Sequence, residues 1–535
     1  MTEHTPDFVA DFMAWYLDAN PMHAAMLGRT EQEHTFGDLS ESGWLDRERQ
    51  SAGWLDRLAS VRPADQDSAI DRDLIVSHLR GQRARAQWPT WRRDPAVYAG
   101  SPIQSLFGTF LHRQQPEPEL VASALSRLAE LPGVFAACRA NLDPELSCEL
   151  LVRRALSSLR TARQFLTVTL PGEVADESLR AKLAEAGESA AEEAESLATY
   201  LESFAERATG DWRMGEQLYS TLLTECEMLG YGAGELHERG LAAYEELAAE
   251  ARALAGDDWQ QAIRALQEDH PATLAELLAE CTSETERARQ FLLERDLVSF
   301  ADGELCRVVP APVFLRPLFA VPFYMAPRQL TASRTGHYFV PFTPEDADQE
   351  QLTHRLRGNF RAQVTSAAVH EAYPGHHWHL SWLAGNPRAV RKALTTSYFT
   401  EGWALYAEKM MREQGYFTDP GRELAHLDMR IFRAARIVVD TALHCGDMTV
   451  AQAEQYMGSR SSLNEGMAKA EVNRYCAWPT QAPSYLTGAL EIDRIRADYL
   501  EAGLGDLKSF HDRIAGSGAL PLGLARRAAL GTAAA

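Results

Sequence analysis

Residues 370–379 read His-Glu-Ala-Tyr-Pro-Gly-His-His-Trp-His, so four of the chain's 16 histidines crowd into one short segment split by a Pro-Gly pair. That pair constrains the local fold more than any other feature. A helix carrying His370 cannot run unchanged through Pro374, which lacks an amide hydrogen and crowds the preceding turn. Gly375 in turn admits dihedrals that other residues avoid. The residue types point to a metal: a His-Glu pair on a helix with another histidine nearby can supply two zinc ligands and a general base from one segment. The usual second ligand position, four residues after the first, is held here by Pro374. In an unbroken helix His370 and His377 share a face, but seven residues rise about 10 Å, too far for two rings on one ion. Pro374 and Gly375 are therefore read as a bulge that opens the helix and swings His376 beneath His370. The alternative is a kinked core helix with surface histidines.

A second motif, Thr400-Glu401-Gly402-Trp403-Ala404-Leu405-Tyr406-Ala407-Glu408, begins a helical run with Ser397 or Thr400 as candidate N-cap. Three protein ligands with one open position mark a catalytic rather than a structural zinc. Glu401 is the expected third ligand. Glu408 lies two turns along the same face, placed to hydrogen-bond a ligand from behind, and His377 is expected to support the site or face substrate. On a later helix Arg436, Asp440 and His444 recur every four residues among Ile437, Val438, Val439, Ala442 and Leu443. Charge in such surroundings needs a partner. One reading is an Arg436–Asp440 ion pair in a core helix, with His444 satisfied by backbone. The other lines the metal cleft with this face, Asp440 orienting a ligand imidazole and His444 or Arg436 touching substrate. The polar and aromatic segment 474–485 offers an oxyanion donor, with Tyr485 first and Tyr475 and His444 behind it. Arg474 or Arg334 could hold a substrate carboxylate, and Gln481 joins the substrate-facing set.

These motifs carry a resemblance. His370-Glu371 followed by Gly375-His376 resembles the zinc motif of thimet-type oligopeptidases and of the carboxypeptidase Taq family, with two residues inserted. Glu401-Gly402-Trp403-Ala404 resembles the third-ligand motif of puromycin-sensitive-type aminopeptidases. The fullest match is to bacterial domain-of-unknown-function family 885. It extends to Asn20-Pro21 through Leu27-Gly28, to Phe323-Tyr324-Met325-Ala326-Pro327 and to Pro479 through Gly488. The resemblance implies a mostly α-helical, gluzincin-type metallopeptidase fold with a deep central cleft and a small β element beside the zinc helix.

At 535 residues the chain can bury an extensive core in two lobes. A composition shift near residue 300 suggests a helical region 1–300 and a metal-binding region 301–535, which could interleave. Helices are expected over 7–17, 176–208, 216–256 and 259–296, then from about 350 to 500. The segments 308–314 and 320–327 are studded with proline, and 336–342 reads as a strand. Lying just before the His-Glu helix, that strand is either an internal one or an edge that holds substrate by strand addition. The end, 531–535, reads as frayed. The formal net charge of −22 argues against nucleic acid or anionic membrane as partners. Seven scattered cysteines without a C-x-x-C pair argue against a disulfide framework. No secretory signal or membrane-spanning stretch is apparent, so the expected location is cytoplasmic.

The combined expectation is zinc-dependent hydrolysis of a peptide or small amide, carboxypeptidase-like first. His370, His376 and Glu401 would be ligands, and Glu371 the base that takes a proton from water and delivers it to the leaving amine. An aminopeptidase, a zinc amidase or esterase, or a non-catalytic metal-stabilised scaffold are the alternatives. The oligomeric state stays open.

Overall fold

Runs of Ala, Leu, Glu and Arg with apolar residues on one side dictate helix over most of the chain. The computed structural model describes residues 7–316, 319–446 and 448–531; the expected frayed end lies almost wholly outside them. The chain divides into two compact units, one running to Arg62 and from His78 to Arg213, the other taking Pro63–Ser77 and everything from Met214 onward. The division thus falls at residue 213, not at the composition shift near 300.

In the first unit, helices Glu117–Asn141 (α1), Glu149–Gln164 (α2) and Glu177–Ala205 (α3) share a core. The α3 stripe of Leu183, Ala190, Ala194, Leu197, Leu201 and Phe204 is buried as its spacing requires. Asp176 caps the helix by accepting the Leu179 amide at 2.9 Å. By length and composition α1 could cross a bilayer, which corrects the expectation that no stretch approaches a span. In this unit it buries Leu120, Val121, Leu128, Leu131 and Phe135.

The second unit holds all the chemistry-bearing motifs. The expected run 216–256 is broken before Ala233–Ala255 (α4), and 259–296 before Leu274–Glu294 (α5). Gly230 and Gly232 mark the first break and Pro271 the second, each residue poor at continuing a helix. The composition shift near 300 marks a three-stranded sheet, Leu305–Pro310 (β1), Phe323–Met325 (β2) and Thr335–Val340 (β3), in the order β1-β3-β2. β1 runs parallel to β3 with Val308 opposite Tyr338, and β2 antiparallel with Tyr324 opposite the same residue. β3 is therefore internal. Both of its backbone edges are paired, so it cannot add a substrate strand.

Of the helices that follow, six bear on the site: Arg361–Glu371 (α6), His376–Gly385 (α7), Ser397–Glu413 (α8), Pro420–Cys445 (α9), Glu465–Ala477 (α10) and Ser484–Glu501 (α11). α6 packs on α5, α8 and α9. α8 crosses α11 at a glycine pair: a Cβ on Gly402 would overlap the Gly488 backbone, and one on Gly488 the Tyr398 carbonyl. Glu401 adjoins that crossing, and Tyr485 lies one turn from it on α11.

Candidate metal centre

The Pro-Gly pair breaks the helix outright, which corrects the expected bulge. α6 ends at Glu371, α7 begins at His376, and residues 372–375 turn between them. The Tyr373–Pro374 peptide is cis. Gly375 donates its amide to the Val369 carbonyl at 3.0 Å, and the Trp378 amide reaches Ala372 at 3.2 Å. A Cβ on Gly375 would overlap the carbonyl oxygens of Val369 and His370. Only glycine allows this approach. The second motif clamps the first, because Trp403 Nε1 donates to the Pro374 carbonyl at 2.7 Å and its ring stacks on Trp378.

This turn brings His376 back to His370, as the sequence required by a different route. The two rings lie 4.8 Å apart and nearly perpendicular, at 87°. Glu401 Oε2 is 3.4 Å from His376 Nε2 and 3.7 Å from His370 Nε2. One donor atom from each of the three residues falls within 4.8 Å of the others. Donors about 2 Å from a shared tetrahedral ion sit roughly 3.3 Å apart, so the spacing suits one small cation. Behind His370, Glu408 Oε1 accepts from Nδ1 at 2.7 Å, which leaves Nε2 free to face Glu401. Glu408 is itself held by Ser366 Oγ at 2.6 Å and His426 Nδ1 at 3.2 Å.

The electrostatics fit a cation as well. Burial alone would lower the His370 pKa, but Glu401 and Glu408 outweigh it and push it up to about 10. Burial would likewise raise Glu401 and Glu408, yet the neighbouring imidazoles hold both far below the ordinary carboxylate range. For Glu371 burial dominates and raises the carboxyl, while His370 and His376 pull it down. Neither lysine nor arginine forms an ion pair with Glu371, Glu401 or Glu408 among the described residues. The three carboxylates are offset by the imidazoles, His370 above all, and at longer range by Arg433. A two-nitrogen, one-oxygen donor set is one that zinc accepts. The His376 Nδ1 atom is buried without a partner, and the Tyr324 ring lies nearly parallel to His376 at 6.4 Å.

Other expected residues are placed elsewhere. His377 turns away from the cluster, donating Nε2–H to Glu304 at 2.6 Å and accepting at Nδ1 from Tyr324 Oη at 3.0 Å. It cannot replace His376. His379 is a core ring packed 5.0 Å from Phe399, its pKa lowered to about 3 by burial. The Arg436–Asp440 pair does not form: Arg436 bonds Glu471 at 2.8 Å and Tyr475 Oη at 3.2 Å. Asp440 accepts from Tyr219 Oη at 2.5 Å and the Thr480 amide at 3.1 Å. Glu408, and not Asp440, orients a histidine of the cluster. His444 is satisfied by backbone, through the Tyr475 carbonyl at 3.0 Å and the Met214 amide at 3.4 Å.

Tyr475 donates to Glu471 at 2.6 Å, Arg474 pairs with Glu471 at 2.9 Å and also bonds Gln481, and Arg334 caps its own loop at Ser333. These groups are already engaged. Tyr485 is different. Its ring lies 4.7 Å from the Arg436 guanidinium and 5.8 Å from that of Arg433, and its hydroxyl makes no hydrogen bond among the described residues. Sequence reasoning missed Ser366, His426, Tyr324 and Arg433. For the α9 residues the signal was present, since His426, Arg430 and Arg433 recur at helical spacing, one row away from the row that was read.

A family model matches residues 21–528. The chain belongs to the bacterial proteins of unknown function (DUF885). Two solved structures share its fold. One is a candidate lipoprotein of unknown function from Shewanella oneidensis, 20% identical with a TM-score of 0.81, covering 97% of this chain and 98% of that one. The other is a candidate lipoprotein from Colwellia psychrerythraea, 19% identical with a TM-score of 0.80, covering 98% of each. No curated protein matches the chain. The two structures overturn the expected cytoplasmic location. Lipoproteins are tethered at a membrane, a class that the scattered cysteines and the lack of an apparent secretory signal or membrane-spanning stretch had argued against.

Proposed function

We propose that this protein is a zinc-dependent hydrolase of peptide or small amide bonds, with carboxypeptidase-like cleavage as the leading form. The observation that carries the reading is Glu371. Its carboxylate makes no hydrogen bond among the described residues, yet it directly follows His370 at the edge of the His370–His376–Glu401 set. A structural metal site has no use for an idle base there. The motif likeness to gluzincin peptidases, and the cleft that likeness implies, belong to this same proposal.

His370, His376 and Glu401 would hold the zinc, which when bound supplies Lewis acidity that polarises a carbonyl and acidifies water near neutrality. Glu408 keeps the His370 proton on Nδ1 and so presents Nε2 to the site. Glu371 accepts the proton of the attacking water and passes it to the leaving amine; a carboxyl raised by burial is better matched to that exchange near neutral pH. The unengaged Tyr485 hydroxyl is the donor available to charge developing on the carbonyl oxygen. Glu371→Gln keeps size but removes the base. Zinc content and Tm should hold while hydrolysis falls about a hundredfold or more. Undiminished hydrolysis would refute the mechanism. A zinc-replete wild type inactive across a broad peptide and amide library would favour a metal-stabilised scaffold.

A further inference from the structure

Among the described residues α9 carries two cations without an ion pair, Arg430 and Arg433, and of these Arg433 alone has a buried guanidinium nitrogen with no partner. Arg436 on the same helix is paired with Glu471, and Arg422 with Glu284. Arg433 forms no ion pair among the described residues. Its Nη1 donates to the Met429 carbonyl at 3.2 Å, and its Nε is buried with no partner at all. A guanidinium held this way costs stability until an anion meets it.

The helix register shows where Arg433 points. His426 on α9 bonds Glu408 on α8, and Arg430 Nη1 bonds the Leu405 carbonyl at 3.1 Å. Moving up α9 means moving down α8, so the two helices are antiparallel. Two turns on from the His426–Glu408 contact, the same register sets Arg433 level with Glu401. Tyr485 closes the other side, its ring 5.8 Å from the Arg433 guanidinium. Electrostatics agree with that placement: Arg433 lies close enough to pull the Glu371 carboxyl down, and Glu401 and Glu408 act on it in return.

We propose that Arg433 binds a free carboxylate of the substrate, which makes the protein a hydrolase of peptides or N-acyl amino acids at the bond next to a free C-terminus. The inference rests on the hydrolase reading above and names its substrate class. Neither neighbouring carboxylate answers Arg433, because Glu401 faces the two histidines and Glu371 forms no ion pair. The planar fork of arginine matches a carboxylate with two parallel hydrogen bonds, which lysine cannot reproduce. An arriving carboxylate satisfies the buried Nε and at the same time fixes the acyl group relative to the ligand set.

The test uses zinc-loaded full-length protein and N-benzoyl derivatives of glycine, leucine, phenylalanine, lysine and aspartate, each as free acid and as carboxamide. Isothermal titration should show at least one free acid binding roughly tenfold or more tightly than its amide, the scale of a charge-assisted pair. Arg433→Gln should erase that gap and Arg433→Lys restore part of it, with circular dichroism melts confirming fold. If the glutamine variant melts early, the wild-type gap and the lysine variant decide the matter. Equal binding of acid and amide, no binding of any acid, or a gap that survives in Arg433→Gln overturns the assignment. The two readings fail separately. A clear gap without turnover of any peptide would sink the hydrolase and keep the anion site. Equal turnover of free and amidated peptides would do the reverse.

Discussion

His376 and His377 are adjacent in sequence and serve opposite sides of one turn. On the His377 side every polar group is answered. Glu304 accepts from His377 at 2.6 Å, from Tyr373 Oη at 2.6 Å and from Arg289 at 3.0 Å, and the Tyr324 hydroxyl takes the other ring nitrogen. The Arg289 cation balances the buried acid. On the His376 side donor atoms converge without closing: Nε2 faces Glu401 at 3.4 Å, Nδ1 has no partner, and no lysine or arginine forms an ion pair with the three carboxylates among the described residues. Both sides are largely buried, so burial does not separate them. A satisfied buried network rigidifies, whereas a convergent and unsatisfied one awaits a ligand.

The largest effect should come from exchanging these two neighbours. His376→Ala should reduce bound zinc from about one ion per chain to almost none by mass spectrometry, because one of three ligands is lost. His377→Ala should keep its zinc but lose about 2–3 kcal/mol of stability in urea denaturation, since Glu304 is left short of a partner in a buried place. The opposite pattern, an empty site in His377→Ala and a full one in His376→Ala, would break the comparison.

A smaller effect tests the support behind the open side. Glu408→Gln no longer accepts as an anion from His370 and His426, so zinc affinity should fall about 10–100-fold in a chelator competition. An unchanged affinity would show that Ser366 and packing alone hold His370 in place.

The smallest effect sharpens the comparison with another buried acid, Asp440, which forms no ion pair and bonds no histidine among the described residues. Burial pushes the Asp440 carboxyl up to about 7, with Tyr219 and the Thr480 amide pulling the other way. The native state then binds more protons than the unfolded chain between about pH 4, the ordinary aspartate value, and pH 7. Stability contributed by protonated Asp440 is fully present below that window and is lost as pH rises through it. Asp440→Asn cannot titrate, so its Tm should decline less than wild type between pH 4.5 and pH 8. Parallel declines would mean that Asp440 is not the group responsible.

Helix and its faces were legible locally. The 3.6-residue period alone places His370 and Glu371 at one helix end, sets Glu401 and Glu408 two turns apart and draws the α3 stripe, because each depends on neighbours along a single element. The choice of His376 over His377 was readable only as a geometric demand. Its execution depends on Gly375 pressing against the Val369 and His370 carbonyls and on Trp403, 29 residues from Pro374, holding the turn. Partner choice was readable only in part: Glu408 does stand behind a ligand, but spacing suggested Asp440 for Arg436, whereas Glu471 arrives from α10 and Tyr219 claims Asp440. The short strands β1 and β2 hid among prolines, and β3 became internal only when they paired on both of its sides. Local periodicity decides which residues share a face. Which polar groups are answered there, and which are left for a ligand, is settled by elements far apart in sequence, because hydrogen bonds and charges pair through space.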